Sequence, residues 1–397
     1  MNFNPFRRRA PAPADDLRER KAAGPAAPVV IWGMAGRAAW TPGDDPSRIR
    51  AGFCGNPVGF RTVRLIAEAV AALPVICQDR MRRHETHPVL DLLERPNTGQ
   101  GRAELLEAVT GELLLTGNAF LELAGHGPGV LPAALHVLRS DRIRVVAGAD
   151  GWPSAYEHSV GSRRRRFPAD AEAPAICHLK SFHPLDDHYG LSPLSAAAMA
   201  VDVHNAASRW SKSLLDNAAR PSGAIVYRGA DGQAAMSEDQ YTRLQDEIAA
   251  HHQGAANAGR PMLLEGGLDW KPMGFSPSDM EFQKTKEAAA REIALAFGVP
   301  PMLLGIPGDA TYANYQEANR AFYRLTVLPL AAKILAGLAE CLGRAVDDAV
   351  MLSPDPDRVP ALAPEREAQW RRIARADFLT DAEKRRLLGL PPVPEGA

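Results

Sequence analysis

After Ser192-Pro193 the chain reads "LSAAAMAVDVHNAASRWSKSLLDNAAR", and no helix breaker interrupts it before Pro221. Serine is a good helix cap and proline suits the first helical position. The pattern predicts one helix of roughly 27 residues, about 40 Å long at 1.5 Å per residue. Such a helix exceeds what a compact domain normally needs, and its alanine-rich surface suits close packing against other helices. A second helix is predicted to open at "SDME" (278–281), a capping-box pattern, and to run to about Phe297. Residues 222–277 lie between them and read as a small module. It comprises a strand ("GAIVYR"), a helix opening at the capping box "SEDQ" (237–240), and two further strands ("PMLLE", "DWKPMG"). A small domain inserted between two helices is the least generic feature of the sequence.

The remainder predicts an α+β protein that is mainly helical. Residues 1–28 are basic, Pro/Ala-rich and without apolar period, the signature of a flexible arm, with ordered structure expected from about Val29. Asn56-Pro57 predicts a capped helix carrying Val63, Ile66, Val70 and Leu73 on one face. A short helix is expected after His87-Pro88 and a longer one over 102–117. Between 119 and 180, short period-2 segments separated by Gly/Pro/Asp turns predict strands. The run Arg163–Arg166 is expected in a solvated loop or hairpin tip, with phosphate contact as the alternative. Residues 316–349 predict another long helix kinked at Pro329. "SPDPDRVPALAP" (353–364) has the composition of a linker, and "TDAE" (380–383) is a third capping box.

Several chemistries are excluded or weakly supported. With 397 residues, 46% hydrophobic and 23% charged, the chain can bury a core. A net charge of −1 argues against tight phosphate clamping. Cys54, Cys77, Cys177 and Cys341 lack CxxC spacing, which predicts reduced thiols in a reducing compartment and neither a disulfide framework nor a zinc site. The apolar stretch 325–342 contains Pro329 and Lys333, so no membrane-spanning helix is expected. "FRRR" and the later "PVVIWGMAG" are too far apart for a signal peptide, so a soluble, intracellularly made protein is expected. No P-loop, HExxH, GxSxG or SxxK occurs, and "GHGPG" (125–129) lacks the third glycine of a dinucleotide fingerprint. The best enzyme-like cluster is His183, Asp186, Asp187 and His188, with His178 upstream. Imidazole and carboxylate could hold a divalent metal for nucleic-acid hydrolysis, but the spacing matches no tight metal motif and a polar turn is the favoured reading. "HETH" (84–87) and His251-His252 are weaker still. No cofactor, catalytic residue or bound metal is expected.

The stretch "FGVPPMLLGIPGDATYANYQ" (297–316) joins a helix end to a helix start through three prolines and three glycines, with Asp309 its one charge. Proline disfavours helix in the residue before it and offers no donor, so Pro300 and Pro301 are expected to end the preceding helix. "MLLG" reads as an apolar anchor and Gly305, Pro307 and Gly308 as a sharp tip, with the helix restarting near Thr311 or Asn314.

In order along the chain, "GNAFLEL", "YGLSPLSAA", "NAARPSGAIVY", "SPSDMEFQKTKEAAAREIALAFGVPPMLLG", "TYANYQEANRAFYRLTVLPL" and "LTDAEKRRLLGLPPVPEG" resemble the portal proteins of tailed bacteriophages, prophages and gene transfer agents. The family often shows Tyr-Ser-Asn-x-Glu where this chain has Tyr312-Ala313-Asn314-Tyr315-Gln316. The resemblance spans roughly residues 50–397. It implies a non-enzymatic subunit of a dodecameric ring at one vertex of a virion or phage-like capsid, assembled in the bacterial cytoplasm. Double-stranded DNA would enter and leave through its axis. Implied partners are the terminase large subunit, the major capsid protein and a head–tail adaptor, with no membrane. The implied subunit has an α+β wing (29–190), a first stem helix (191–220), an α/β clip (221–277) and a second stem helix (278–298). A tunnel loop (299–315), a helical wing region (316–350), and a linker with helical crown (351–397) would follow. The residues expected to face the channel are Gly305, Ile306, Pro307, Gly308, Asp309, Ala310, Thr311, Tyr312, Ala313 and Asn314.

Overall fold

The structure, a computed structural model, describes residues 40–390 except 80–81, 126, 128, 170–172, 217–222, 228–238, 240–241, 244–267, 273–276, 308–311 and 347–349. The N-terminal arm and most of the inserted module therefore lie outside the described residues, as do "PMLLE" and most of "SEDQ".

The N-terminal helices are α1 (Asp45–Ile49), α2 (Pro57–Ala71), α3 (Pro88–Glu94) and α4 (Arg102–Thr116). Asn56 caps α2 by accepting the Val58 and Gly59 N–H groups at 3.0 Å, and His87 Nδ1 caps α3 by accepting the Val89 N–H. At the other end of α4, Gly117 takes φ +79°, a left-handed conformation that suits glycine. Two strands follow α2, β1 (Val75–Gln78) and β2 (Arg83–His84). The strand region comprises β3 (Asn118–Ala124), β4 (Ala134–Leu138), β5 (Ile143–Ala147), β6 (Pro153–Val160), β7 (Arg163–Pro168) and β8 (Ile176–Lys180). They form two antiparallel sheets, ordered β4-β3-β8 and β5-β6-β7. Phe120, Ile143, Phe167 and Ile176 make a small core within this region. The four arginines expected in a loop are the body of β7, an edge strand. An edge position leaves their long side chains in solvent, so a strand can carry four charges in succession.

The long helix is α5 (Pro193–Ala196) followed by α6 (Ala198–Asp216), divided by a turn at Ala197 with ψ −1°. Ser192 caps the first turn, accepting the Ser195 N–H at 3.0 Å, and Leu194 is buried against Gly52. The returning helix α7 (Pro277–Ala296) packs along α6. Trp210, near the end of α6, stacks on Phe282, near the start of α7, with ring centroids 4.2 Å apart, so the two helices run antiparallel. Between them, β9 (Gly223–Tyr227) and β10 (Leu268–Pro272) pair antiparallel, matching two of the three predicted strands.

Helix α8 (Tyr312–Phe322) continues through a π turn (Tyr323–Val327) into α9 (Leu328–Val346). The π turn lies immediately before Pro329, where a kink is expected. Pro329 would clash with the Leu325 carbonyl in a regular helix, and widening the preceding turn relieves this. By length and composition Ala313–Gly343 could cross a membrane, contrary to the expectation from sequence. Its stripe of Val327, Ala331, Ile334, Leu335, Leu338 and Leu342, however, is buried in the main core with α2, α4 and β3.

Two further expectations are corrected. Cys177 on β8 and Cys341 on α9 form a disulfide, with Cα atoms 5.8 Å apart and a sequence separation of 164. Spacing could not reveal it, because only the fold places β8 beside α9. The stretch that resembled a linker begins with the last two residues of β11 (Met351–Pro354), which pairs with β1, and its Asp355, Val359 and Leu362 are buried. The final helices are α10 (Ala363–Ala374) and α11 (Asp381–Leu387). Thr380 caps α11 through the Glu383 N–H while Glu383 accepts the Thr380 N–H, the reciprocal bonds of the predicted capping box.

Candidate functional site

The connection from α7 to α8 is fastened at its base before it becomes a loop. Gly298 takes φ +68°. Its N–H donates to the Leu295 carbonyl and the Val299 N–H to the Ala294 carbonyl, the paired bonds of a Schellman cap. The helix thus ends at glycine, two residues before the prolines expected to stop it. A left-handed glycine closes the last carbonyls, and Pro300 and Pro301 only direct the chain away. Thr326, in the π turn, donates its hydroxyl to the Gly298 carbonyl at 2.6 Å. Pro301–Leu304 then form one 3-10 turn, closed by Gly305 at φ +72°.

Leu303 and Leu304 pack against the main core, as the apolar anchor requires. The Ile306 N–H donates to the Pro301 carbonyl at 3.3 Å, and the Arg291 guanidinium donates to the Pro307 carbonyl. Gly308, Asp309, Ala310 and Thr311 lie outside the described residues. Tyr312, Ala313 and Asn314 already belong to α8, with Ala313 and Asn314 exposed, so the helix begins within the predicted loop. From Phe297 to Pro307 no side chain is charged.

The His/Asp cluster is organised otherwise. Asp186 Oδ1 accepts the N–H groups of His188 and Tyr189 at 2.8 and 3.0 Å, and these bonds hold its carboxyl below the usual range. His183 Nδ1 accepts the Leu185 N–H, and Lys180 donates to the Asp187 carbonyl. These groups shape a turn, and among the described residues no group of three or more His, Cys, Asp or Glu side chains is placed to hold a metal. His178 faces elsewhere. It stacks on Phe120 at 4.1 Å and bonds Asn118 Oδ1 through Nε2, and burial, then the Lys180 charge, lowers its pKa to about 3.

Two junctions were not anticipated from the sequence. At the first, "GNAF" meets "YGLSP". Asn118 Oδ1 also accepts the Gly190 N–H, the Tyr189 hydroxyl accepts the Val145 N–H, and Gly117 and Gly190 touch through their backbones. At the second, Asn56 Nδ2 donates to His204 Nδ1 at 3.1 Å and Asn205 Oδ1 at 2.9 Å, linking α2 to α6. Burial, followed by the Lys286 charge, lowers the His204 pKa, in keeping with a neutral ring whose Nδ1 accepts. The available signal was the pairing of small or amide residues within the quoted segments. It marked places of close approach without saying which segments meet.

Comparison with known proteins bears on what this arrangement serves. The family model described as phage portal protein matches residues 57–389. A chain from the neck of an empty gene transfer agent particle is 67% identical, with a TM-score of 0.73, covering 90% of this chain and 96% of that one. The neck of a native particle, computed with C12 symmetry, contains a chain 66% identical with a TM-score of 0.71, covering 90% of this chain and 97% of that one. A probable portal protein of Streptomyces phage phiC31 is 29% identical, covering 85% of this chain and 75% of the phage protein.

Proposed function

Because the chain belongs to the phage portal protein family, we propose that it assembles into a twelve-subunit ring at one vertex of a phage-like particle, with double-stranded DNA passing along the ring axis. The observation that carries this reading is the two-thirds identity, over 90% of the chain, to the subunit found in gene transfer agent necks. The antiparallel pair α6–α7 serves as the stem and the module bearing β9 and β10 as the clip. The segment from Gly305 to Asn314 is the tunnel loop. The strand region and α8–α9 form the wing, and α10–α11 the crown. The subunit is not an enzyme in this reading: motor chemistry belongs to a terminase docking at the clip, where a head–tail adaptor later replaces it, and the major capsid protein surrounds the wing.

Near-neutrality suits this task. DNA must slide, and each additional phosphate contact deepens binding and steepens its salt dependence. A loop without cations from Phe297 to Pro307 surrounds a duplex without holding it.

The test is imaging of particle-bound protein together with deletion of Ile306–Thr311. Rings should persist in the deletion particles while packaged DNA falls. Particles lacking a ring at the vertex would overturn the portal reading, and normal DNA content in the deletion would remove the tunnel-loop role alone.

A further inference from the structure

Strand β7 is a line of four arginines, Arg163 to Arg166, all exposed, on the edge of the β5-β6-β7 sheet. Side chains alternate across a strand. Arg165 shares the face of buried Phe167; it donates to Glu122 at 2.5 Å and lies 4.4 Å from the Phe167 ring centroid. It is therefore committed to the fold. Arg164 and Arg166 point to the opposite face, and Arg163 sits where the strand leaves its turn. Among the described residues these three have no ion-pair partner. The acid across from Arg166 is Glu157, already engaged by Arg144 at 3.2 Å.

Edge strands often carry charge simply to block pairing with another sheet. One or two lysines suffice for that, and Arg165 already places a charge on the face that it shares with Phe167. Three further unneutralised guanidiniums call for a polyanion. We infer that the exposed edge of β7 binds the backbone of duplex DNA without reading its sequence, at a site separate from the tunnel loop. Residues two apart on a strand lie about 6.8 Å apart, a spacing that suits neighbouring phosphates along one DNA strand. Guanidinium forks also fit phosphate oxygens in paired hydrogen bonds. A protein partner is less well matched. The exposed apolar residues of β6 and its preceding turn, Val160 and Trp152, lie at opposite ends of the strand and form no continuous patch with the arginines.

The choice of DNA as the polyanion rests on the portal reading, and the measurement requires no ring. The full-length subunit is titrated against a labelled duplex of about 30 base pairs by fluorescence anisotropy between about 50 and about 200 mM salt. Three variants are compared: R163Q/R164Q/R166Q; R163K/R164K/R166K; and the control R371Q/R372Q/R375Q, which removes the same charge from α10 and its end. The glutamine triple on β7 should weaken binding at least about tenfold at the lowest salt. It should also flatten the log–log salt slope by about 2 to 3, near 0.9 for each phosphate that is no longer neutralised. The lysine triple and the α10 control should keep the slope. An unchanged slope in the glutamine triple would overturn the inference, as would its loss in the lysine triple. Displacement of the duplex by polyglutamate at equal charge concentration would also overturn it, pointing instead to an acidic protein. Should the glutamine triple fail to fold, Arg166→Gln alone carries the test, with an expected slope change of about 0.9. Failure here leaves rings in particles unaffected, whereas absence of rings with intact duplex binding would count against the portal reading only.

Discussion

Gly190 and Gly111 show how differently two glycines can be constrained. A Cβ on Gly190 would lie 2.1 Å from the Gly117 carbonyl oxygen and 2.6 Å from the Ser181 nitrogen, both backbone atoms that cannot rotate away. Gly190→Ala should therefore destabilise by about 3 kcal/mol or more, seen as a large fall in melting temperature. Gly111 lies inside α4, and apart from the adjoining backbone of its own helix no atom lies within 4 Å of an added Cβ. Gly111→Ala should stabilise by about 0.5 to 1 kcal/mol, because it restricts the unfolded chain and favours helix. Equal effects from the two would refute the close-approach account. His178 supplies a pH-dependent counterpart. Its folded pKa of about 3 lies below the ordinary 6.5. Above 6.5 neither state is protonated; as pH falls from there towards 3, only the unfolded chain gains the proton, and stability is lost. Between pH 7 and 5 this group should cost about 1 to 2 kcal/mol. His178→Phe, which can keep the stack on Phe120, should shrink the fall in melting temperature over that interval. An unchanged acid shift in the variant would place the linkage elsewhere.

Local chemistry made several elements readable. Asn56-Pro57, His87-Pro88, Ser192-Pro193 and Thr380 with Glu383 each lie at a helix start, because a cap is decided by a few neighbouring residues. What escaped the sequence depends on distant partners. The strand identity of Arg163–Arg166 is imposed by pairing with β6, and β11 exists only because β1 lies beside it. The Cys177–Cys341 disulfide is the extreme case. In the chain-entropy relation, a crosslink closing so long a loop is worth about 5 kcal/mol, by constraining the unfolded chain. Cys341→Ser, or reduction of the wild type, should lower stability by several kcal/mol, seen as a large fall in melting temperature, and the variant should no longer respond to reductant. A variant that still responds would show that another thiol is the sensitive one. The base of the candidate loop was legible as a stop signal but not in its mechanism: glycine closes the helix, and a threonine 28 residues away fastens it. Thr326→Val should cost about 1 kcal/mol while leaving the α6–α7 pairing intact.

At the scale of the whole molecule, the legible quantity was the order of a helix, a pair of strands and a returning helix, which the structure shows as α6, β9 with β10, and α7. How subunits surround an axis belongs to the assembly and is written in no single segment. The proposed ring nevertheless makes one property of the loop testable. If the segment at Ile306 faces the duplex, its neutrality is functional and adding cations should harm transport rather than folding. Ile306→Arg adds one cation per subunit, repeated around the ring, so even weak phosphate contacts act together on the same duplex. The subunit's melting temperature should hardly move, because Ile306 is only half-buried and its own bond, to the Pro301 carbonyl, is made by its backbone N–H. Particles should contain less DNA, and DNA release from those that fill should slow at low ionic strength and recover as salt is raised. Ile306→Gln, equally polar but uncharged, should release normally. If the arginine variant packages fully and releases at a salt-independent rate, the loop does not approach the duplex, and another element must line the narrowest part of the channel.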